Sequence, residues 1–124
     1  MKIIKKIVFE SHPVHHFIYK KEFDILFKVI EKKKFKHALE LGFGDGVASK
    51  IIRPSAEHLI GVELDKRREY EAKDVFDAIH IGEIDTLSKK YNDKIDLVFA
   101  FHVIEHMDFV QIKTFVEKSK EILS

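Results

Sequence analysis

Cysteine is absent from the 124 residues, which excludes a disulfide framework, a thiolate metal site and a cysteine nucleophile. No apolar run approaches the roughly 20 residues needed to cross a bilayer, so no membrane span is expected. The opening Met1-Lys2-Ile3-Ile4-Lys5-Lys6-Ile7-Val8-Phe9-Glu10 is too short and too interrupted by lysine to read as a secretory signal. A cytoplasmic location is the default expectation. Side-chain amides are nearly missing, with Asn92 and Gln111 alone. That scarcity, beside abundant Lys and Glu, matches heat-adapted proteins. An AT-rich genome would enrich Lys, Ile and Phe in the same way.

What is present is ordinary for a globular protein: 45% hydrophobic and 35% charged residues. The length suits one domain over residues 1–124, with one core. Net charge is +1 but unevenly spread, since residues 1–36 hold ten lysines against four acids. Such a segment attracts an anionic partner such as RNA or phosphate, or it is the solvated face of a helix. Both readings stay open.

Periodicity organises the rest. Phe17, Phe23, Leu26, Phe27 and Ile30 recur at helical spacing and predict an amphipathic helix over Phe17–Lys33. His37–Leu41, His58–Val62, Ala78–Ile81 and Ile95–Ala100 read as strands, the last apolar enough for burial on both faces. A short helix stopped near Pro54, a charged one over Lys66–Val75 and a third over Phe109–Leu123 fill the intervals. Strands alternating with helices mean βαβ units, hence an α/β fold of three α/β/α layers around a mainly parallel sheet. Ligands in such folds bind beyond the carboxyl ends of the strands, where strand order reverses. The distinctive residues all fall at those ends.

Gly42, Gly44 and Gly46 follow the first strand and open a helix. They permit a tight turn and bring backbone N–H groups up to a polar ligand. Glu63 ends the second strand, where an acid about 20 residues past the turn accepts both hydroxyl hydrogens of a ribose. Asp65 competes for that role or caps the next helix. A dinucleotide fingerprint needs its third glycine three residues after the second, yet Val47 stands there. Glu40, just before the turn, would repel a pyrophosphate and suit a cationic ligand instead.

With these residues in hand, the sequence resembles the class I S-adenosylmethionine-dependent methyltransferases. Ala38-Leu39-Glu40-Leu41-Gly42-Phe43-Gly44-Asp45-Gly46 is similar to that family's first motif, and Ile60-Gly61-Val62-Glu63-Leu64-Asp65 to its second. Ile81-Gly82-Glu83-Ile84 sits where the family places an acid near the adenine amino group. The run Asp96–His106 looks like the fourth motif, with its Ile-Glu-His ending. The resemblance implies a Rossmann-like fold with S-adenosyl-L-methionine as cofactor. It implies cofactor-binding roles for Glu40, Gly42, Phe43, Gly44, Gly46, Glu63, Leu64, Glu83, Ile84, Phe99 and Phe101. It also implies strands up to the fourth of the family's core, with the C-terminal strands missing. The fourth strand then has a free edge, for which a homo-oligomer, a partner chain or Met1–Phe9 folding back would supply cover.

His102, Glu105 and His106 lie at i, i+3 and i+4, sharing one face if the turn is helical. The trio resembles a metal motif of ubiquinone-pathway and small-RNA 2′-O-methyltransferases. His102 replaces the first acid of that motif, and no metal is assigned. His102 and His106 are the candidate general bases for an O or N acceptor, against a plain packing and capping role. His12, His15 and His16 read as a solvated loop before the first helix. His37, His58 and His80 read as packing or capping residues beside strands. The expected activity is methyl transfer to an acceptor that the sequence does not name. The alternative is a non-catalytic cofactor-binding domain or one subunit of a split enzyme.

Overall fold

The computed structural model describes residues 13–124, without the side chains of residues 13–20, 22 and 88. Met1–Phe9 and His12 lie outside the described residues, as do the side chains of His15 and His16. Helix α1 runs from Pro13 to Ile30, starting before Phe17 because proline presets the backbone for a first helical turn. His15 and His16 therefore belong to a helix, which corrects the loop expected there.

Strand β1 (Phe35–Leu41) leads through the glycine turn into α2 (Val47–Ile52), which Pro54 ends in a 3₁₀ turn. Strand β2 (Ala56–Glu63), helix α3 (Arg68–Ala72) and strand β3 (Ala78–Ile81) follow. Helix α3 falls short of Lys66–Val75 because it has only Ala72 to bury, and short helices depend on packing for stability. A 3₁₀ turn (Ile84–Leu87) and α4 (Ser88–Tyr91) precede β4 (Leu97–Ala100). A 3₁₀ turn (Ile104–His106) then leads to α5 (Phe109–Ile122). Asp108 and Gln111 form a capping box at the start of α5, each side chain accepting the other's backbone N–H at 2.8 and 2.9 Å.

The sheet is parallel throughout, in the order β3-β2-β1-β4. Alternation sorts its side chains. Ala38 and Leu59 pack under Phe23, Ile30, Ile51 and Ile52 of α1 and α2. Leu39, Ile60 and Val62 face Leu87, Ile95 and Ile122 on the other side. The fold is thus the Rossmann-like three-layer α/β/α arrangement. Its order reverses between β1 and β4, so the crevice lies at the carboxyl ends of those two strands.

Strand β4 departs from expectation. Each of its residues is half-buried rather than covered on both faces, because β1 flanks it on one side only. Ile95 is excluded from β4 and bridges Leu123 instead, its N–H donating to Ile122 O (2.9 Å) and its carbonyl accepting from Ser124 N (2.8 Å). At the same end Asp96 accepts from the backbone N–H groups of Lys36 and His37, tying β4 to the start of β1. The exposed Lys32, Lys33, Lys34 and Lys36 lie at this amino end of the sheet, remote from the glycine turn. No helix among the described residues is long and apolar enough to cross a membrane.

Candidate functional site

The glycine turn is built on left-handed backbone. Gly42 has φ +67, and a Cβ there would stand 2.6 Å from Val103 Cγ2, so the turn closes against the loop after β4 only without a side chain. Gly42 N donates to Val62 O at 2.7 Å, continuing the β1–β2 pairing into the turn. Gly42→Ala is expected to cost about 2–3 kcal/mol, from a left-handed non-glycine residue and a displaced Val103. Denaturant unfolding measures it, and adding Val103→Ala should recover the steric part.

Glu63, at the end of β2, organises the neighbouring backbone. Its Oε2 accepts from Gly44 N (3.1 Å), and its Oε1 accepts from Leu64 N (2.9 Å) and Asp65 N (3.2 Å). One carboxylate therefore joins the glycine turn to the end of β2. Asp65 points elsewhere and forks onto the Arg67 guanidinium, whose hydrogen bonds hold its carboxyl down to about 2.

Glu40 differs from both, being 1% exposed on the central strand. Its Oε2 accepts from the hydroxyl of Ser49, itself fully buried on α2. Loss of water pushes its carboxyl up to about 8, against the pull of Ser49, with Asp45 and Glu63 adding negative charge nearby.

Two cavities open along this crevice. The larger, about 420 Å³, is bounded by Gly42, Glu63, Leu64, Gly82, Glu83 and Ile84 from the sheet side, with Val103 and His106 across from them. Across from them also stand Met107, two residues before α5, and Val110, Gln111, Thr114 and Phe115 of α5. The smaller, about 350 Å³, is lined by Glu40, Phe43, Gly44, Phe101, His102 and His106, with Phe23, Asp45 and Arg68. Gly42 and His106 border both. Phe101 stacks on Phe23 of α1, with ring centroids 4.8 Å apart.

The structure thus gathers Glu40, Gly42, Phe43, Gly44, Glu63, Leu64, Glu83, Ile84, Phe101, His102 and His106 at one crevice. Phe99 packs into the core on the α1 side, and Gly46 turns toward Ala72 and Val75 as it starts α2. Neither lines either of these two cavities. The helical turn that would put His102, Glu105 and His106 on one face does not extend back to His102. His102 sits at φ +55, and the chain bends before the 3₁₀ turn begins at Ile104. That bend brings His102 Nδ1 within 3.0 Å of Glu105 Oε1. The Glu105 backbone N–H and then His102 hold the Glu105 carboxyl below its usual range. No three His, Asp or Glu side chains converge for a metal among the described residues.

A family model described as "Methyltransferase domain" matches residues 39–124, from the middle of β1 to just past α5. The chain belongs to that family. No curated protein matches it in sequence. Solved structures share the fold. The YcgJ protein of Bacillus subtilis is 20% identical, with a TM-score of 0.69, covering 85% of this chain and 47% of its own. An S-adenosylmethionine-dependent methyltransferase of Clostridium acetobutylicum is 22% identical, with a TM-score of 0.68 and coverages of 92% and 52%. A Haloferax volcanii methyltransferase, solved in complex with the activator Trm112, is 16% identical, with a TM-score of 0.69 and coverages of 90% and 51%. This methyltransferase domain therefore spans about half the length of those three chains.

The family's cofactor is S-adenosylmethionine, and the crevice suits it. A turn without Cβ atoms presents backbone, a strand-end carboxylate suits a diol, and a buried carboxylate suits a cation. The α5 lining and Arg68 escaped the sequence reading. Only the i, i+4 pair Val110 and Thr114, on the flank of the apolar stripe, hinted at a second working face of α5.

Proposed function

We propose that this methyltransferase domain binds S-adenosylmethionine along the β1–β4 crevice and directs its methyl group to an oxygen or nitrogen acceptor. The observation that carries the proposal is the convergence of Glu40, the glycine turn and Glu63 on one crevice at the switch point of the sheet. The cofactor supplies an electrophilic methyl on a sulfonium centre. Glu63 holds the ribose hydroxyls, and Glu83 with Ile84 and Leu64 receives the base in the larger cavity. Glu40 faces the cationic aminoacyl end, beside Gly42 and Gly44, whose lack of Cβ atoms lets that end approach the backbone of the turn. His106, bordering both cavities, and His102, turned by Glu105, are the groups for the acceptor's proton. Much of the catalysis in such a transfer is alignment of donor and acceptor.

A second reading, a cofactor-holding domain that works with another chain, draws on the edge of β4. Among the described residues that edge has no strand neighbour, the one bridge nearby being Ile95 to Leu123 ahead of β4. A second copy or a partner strand would supply the missing neighbour. The Haloferax volcanii relative, solved with an activator protein, gives that reading a parallel.

Isothermal calorimetry with S-adenosylmethionine, S-adenosylhomocysteine and NAD tests the first proposal. Binding of both sulfur ligands and not NAD is expected. Absence of binding by a folded, monodisperse protein would refute it. Sedimentation velocity with and without the cofactor tests the second reading, which expects association through β4.

A further inference from the structure

The end of the sheet opposite the crevice carries two histidines that the methyl-transfer reading leaves without a role. His37 on β1 and His58 on β2 are direct partners in the parallel register, so they project from the same face. Alternation puts them on the side of Leu39 and Ile60, with the exposed Lys36 and Glu57 directed to the other face. Their rings lie with centroids 5.6 Å apart at an interplanar angle of 68°. Both residues are half-buried.

Carboxylates flank the pair along the same end of the sheet. Asp77, just before β3, places Oδ2 3.8 Å from His58 Nδ1 while accepting from Leu59 N at 2.7 Å. The same oxygen accepts from the Arg53 guanidinium. Asp96, just before β4, accepts from the His37 backbone N–H at 2.6 Å. Neither imidazole hydrogen-bonds to a described residue.

The spacing of the rings decides what they can do together. A metal–nitrogen bond of about 2.0–2.1 Å puts each ring centre roughly 3.2 Å from the ion, so two imidazoles on one tetrahedral ion have centres roughly 5.2 Å apart. The observed 5.6 Å is close to that separation. The strands already hold the two backbones in register, so only the side chains need turn to bring a nitrogen of each to one ion. Two imidazoles with the remaining positions left to water suit a zinc-class ion, whereas magnesium and calcium call for oxygen ligands. Asp77 beside His58 Nδ1 is placed to orient that ring and leave Nε2 for the ion.

We propose that His37 and His58 form a two-histidine site for a borderline divalent transition-metal ion such as zinc, bridging β1 and β2 away from the crevice. The inference is independent of the cofactor reading. The folded sheet sets the two imidazoles side by side and the unfolded chain separates them, so the ion favours the folded state.

The test is a zinc titration of the full chain at neutral pH, followed by NMR of the histidine rings, in wild type, His37→Gln and His58→Gln. The His37 and His58 ring signals should shift together along one binding curve, whatever the other histidines do. Each substitution should weaken zinc at the remaining ring by about 100-fold, the loss of a second tethered ligand. Zinc should also raise the urea midpoint of wild type more than that of either variant. The wild-type curve decides the matter by itself if a substitution unfolds the chain. Zinc that shifts neither ring or only one of the two, or that binds either variant as tightly as wild type, would overturn the proposal. An equal response to magnesium would overturn it as well.

Discussion

Replacing Glu63 with alanine is expected to weaken S-adenosylhomocysteine binding by at least ~100-fold, the loss of two charge-assisted hydrogen bonds of about 1.5–3 kcal/mol each. Affinity is not the whole effect. The carboxylate accepts from Gly44, Leu64 and Asp65 N–H groups before any ligand arrives. Its removal unties the glycine turn from β2 and should lower stability by about 1–2 kcal/mol, because the Gly44 and Asp65 donors are partly buried and can recover water only in part. Glu63→Gln separates the two roles. Its amide oxygen still accepts from backbone N–H groups on one side, while its NH₂ opposes a donor on the other. It should keep most of the stability and still lose at least ~10-fold in affinity. Chemical denaturation beside calorimetry decides the matter. Equal binding by wild type and Glu63→Ala would mean that the ribose is held elsewhere.

The parts of the fold that the sequence announced were those where local chemistry and tertiary context agree. Gly42, Gly44 and Gly46 between a buried apolar strand and a helix form a turn whichever neighbours they have, and β1, α2 and β2 appear about where periodicity put them. The acids at strand ends were readable because topology alone carries them to the crevice. Long-range pairing was not readable. Ile95 looks like strand in the apolar run Ile95–Ala100, yet its edge partner is Leu123, 28 residues on, and nothing local marks that bridge. His102 is a second case. Its spacing to Glu105 and His106 fits a helix, but its backbone is left-handed in a loop that packs through Val103 against Gly42. The wall made by α5 was hidden for another reason. Its apolar stripe identified the face that packs, while Gln111 and Thr114 on the adjoining face look like solvent-exposed residues until β4 and β2 are placed. The Asp108–Gln111 box that starts this helix was likewise not read from the sequence.

Glu40→Gln is expected to change the pH dependence of stability more than any other single substitution at the site. In the folded chain the Glu40 carboxyl titrates at about 8, above its ordinary 4.5, chiefly because burial removes water from the charged form. Between those two values the folded state holds a proton that the unfolded chain has released. Stability is therefore fully present below the unfolded value and falls as pH rises toward 8, by about 1.4 kcal/mol per pH unit. Glutamine keeps the shape and hydrogen-bonding capacity without the charge, so the variant should lose that slope. It should match wild type near pH 5 and exceed it by several kcal/mol at pH 8 or above, read from urea midpoints across the range. The same carboxylate is what a cationic ligand would use. S-adenosylmethionine arriving in the smaller cavity gains by drawing the proton off Glu40, so its binding should release protons at neutral pH, measurable as a dependence of calorimetric heat on buffer. Glu40→Gln should abolish that release and weaken S-adenosylmethionine by about 10–100-fold, as when a buried charge loses its counter-charge. Parallel pH–stability curves for the two proteins would show that Glu40 is ionised in the folded chain. The buried carboxylate would then be stabilised by groups beyond Ser49, and no proton would leave with binding.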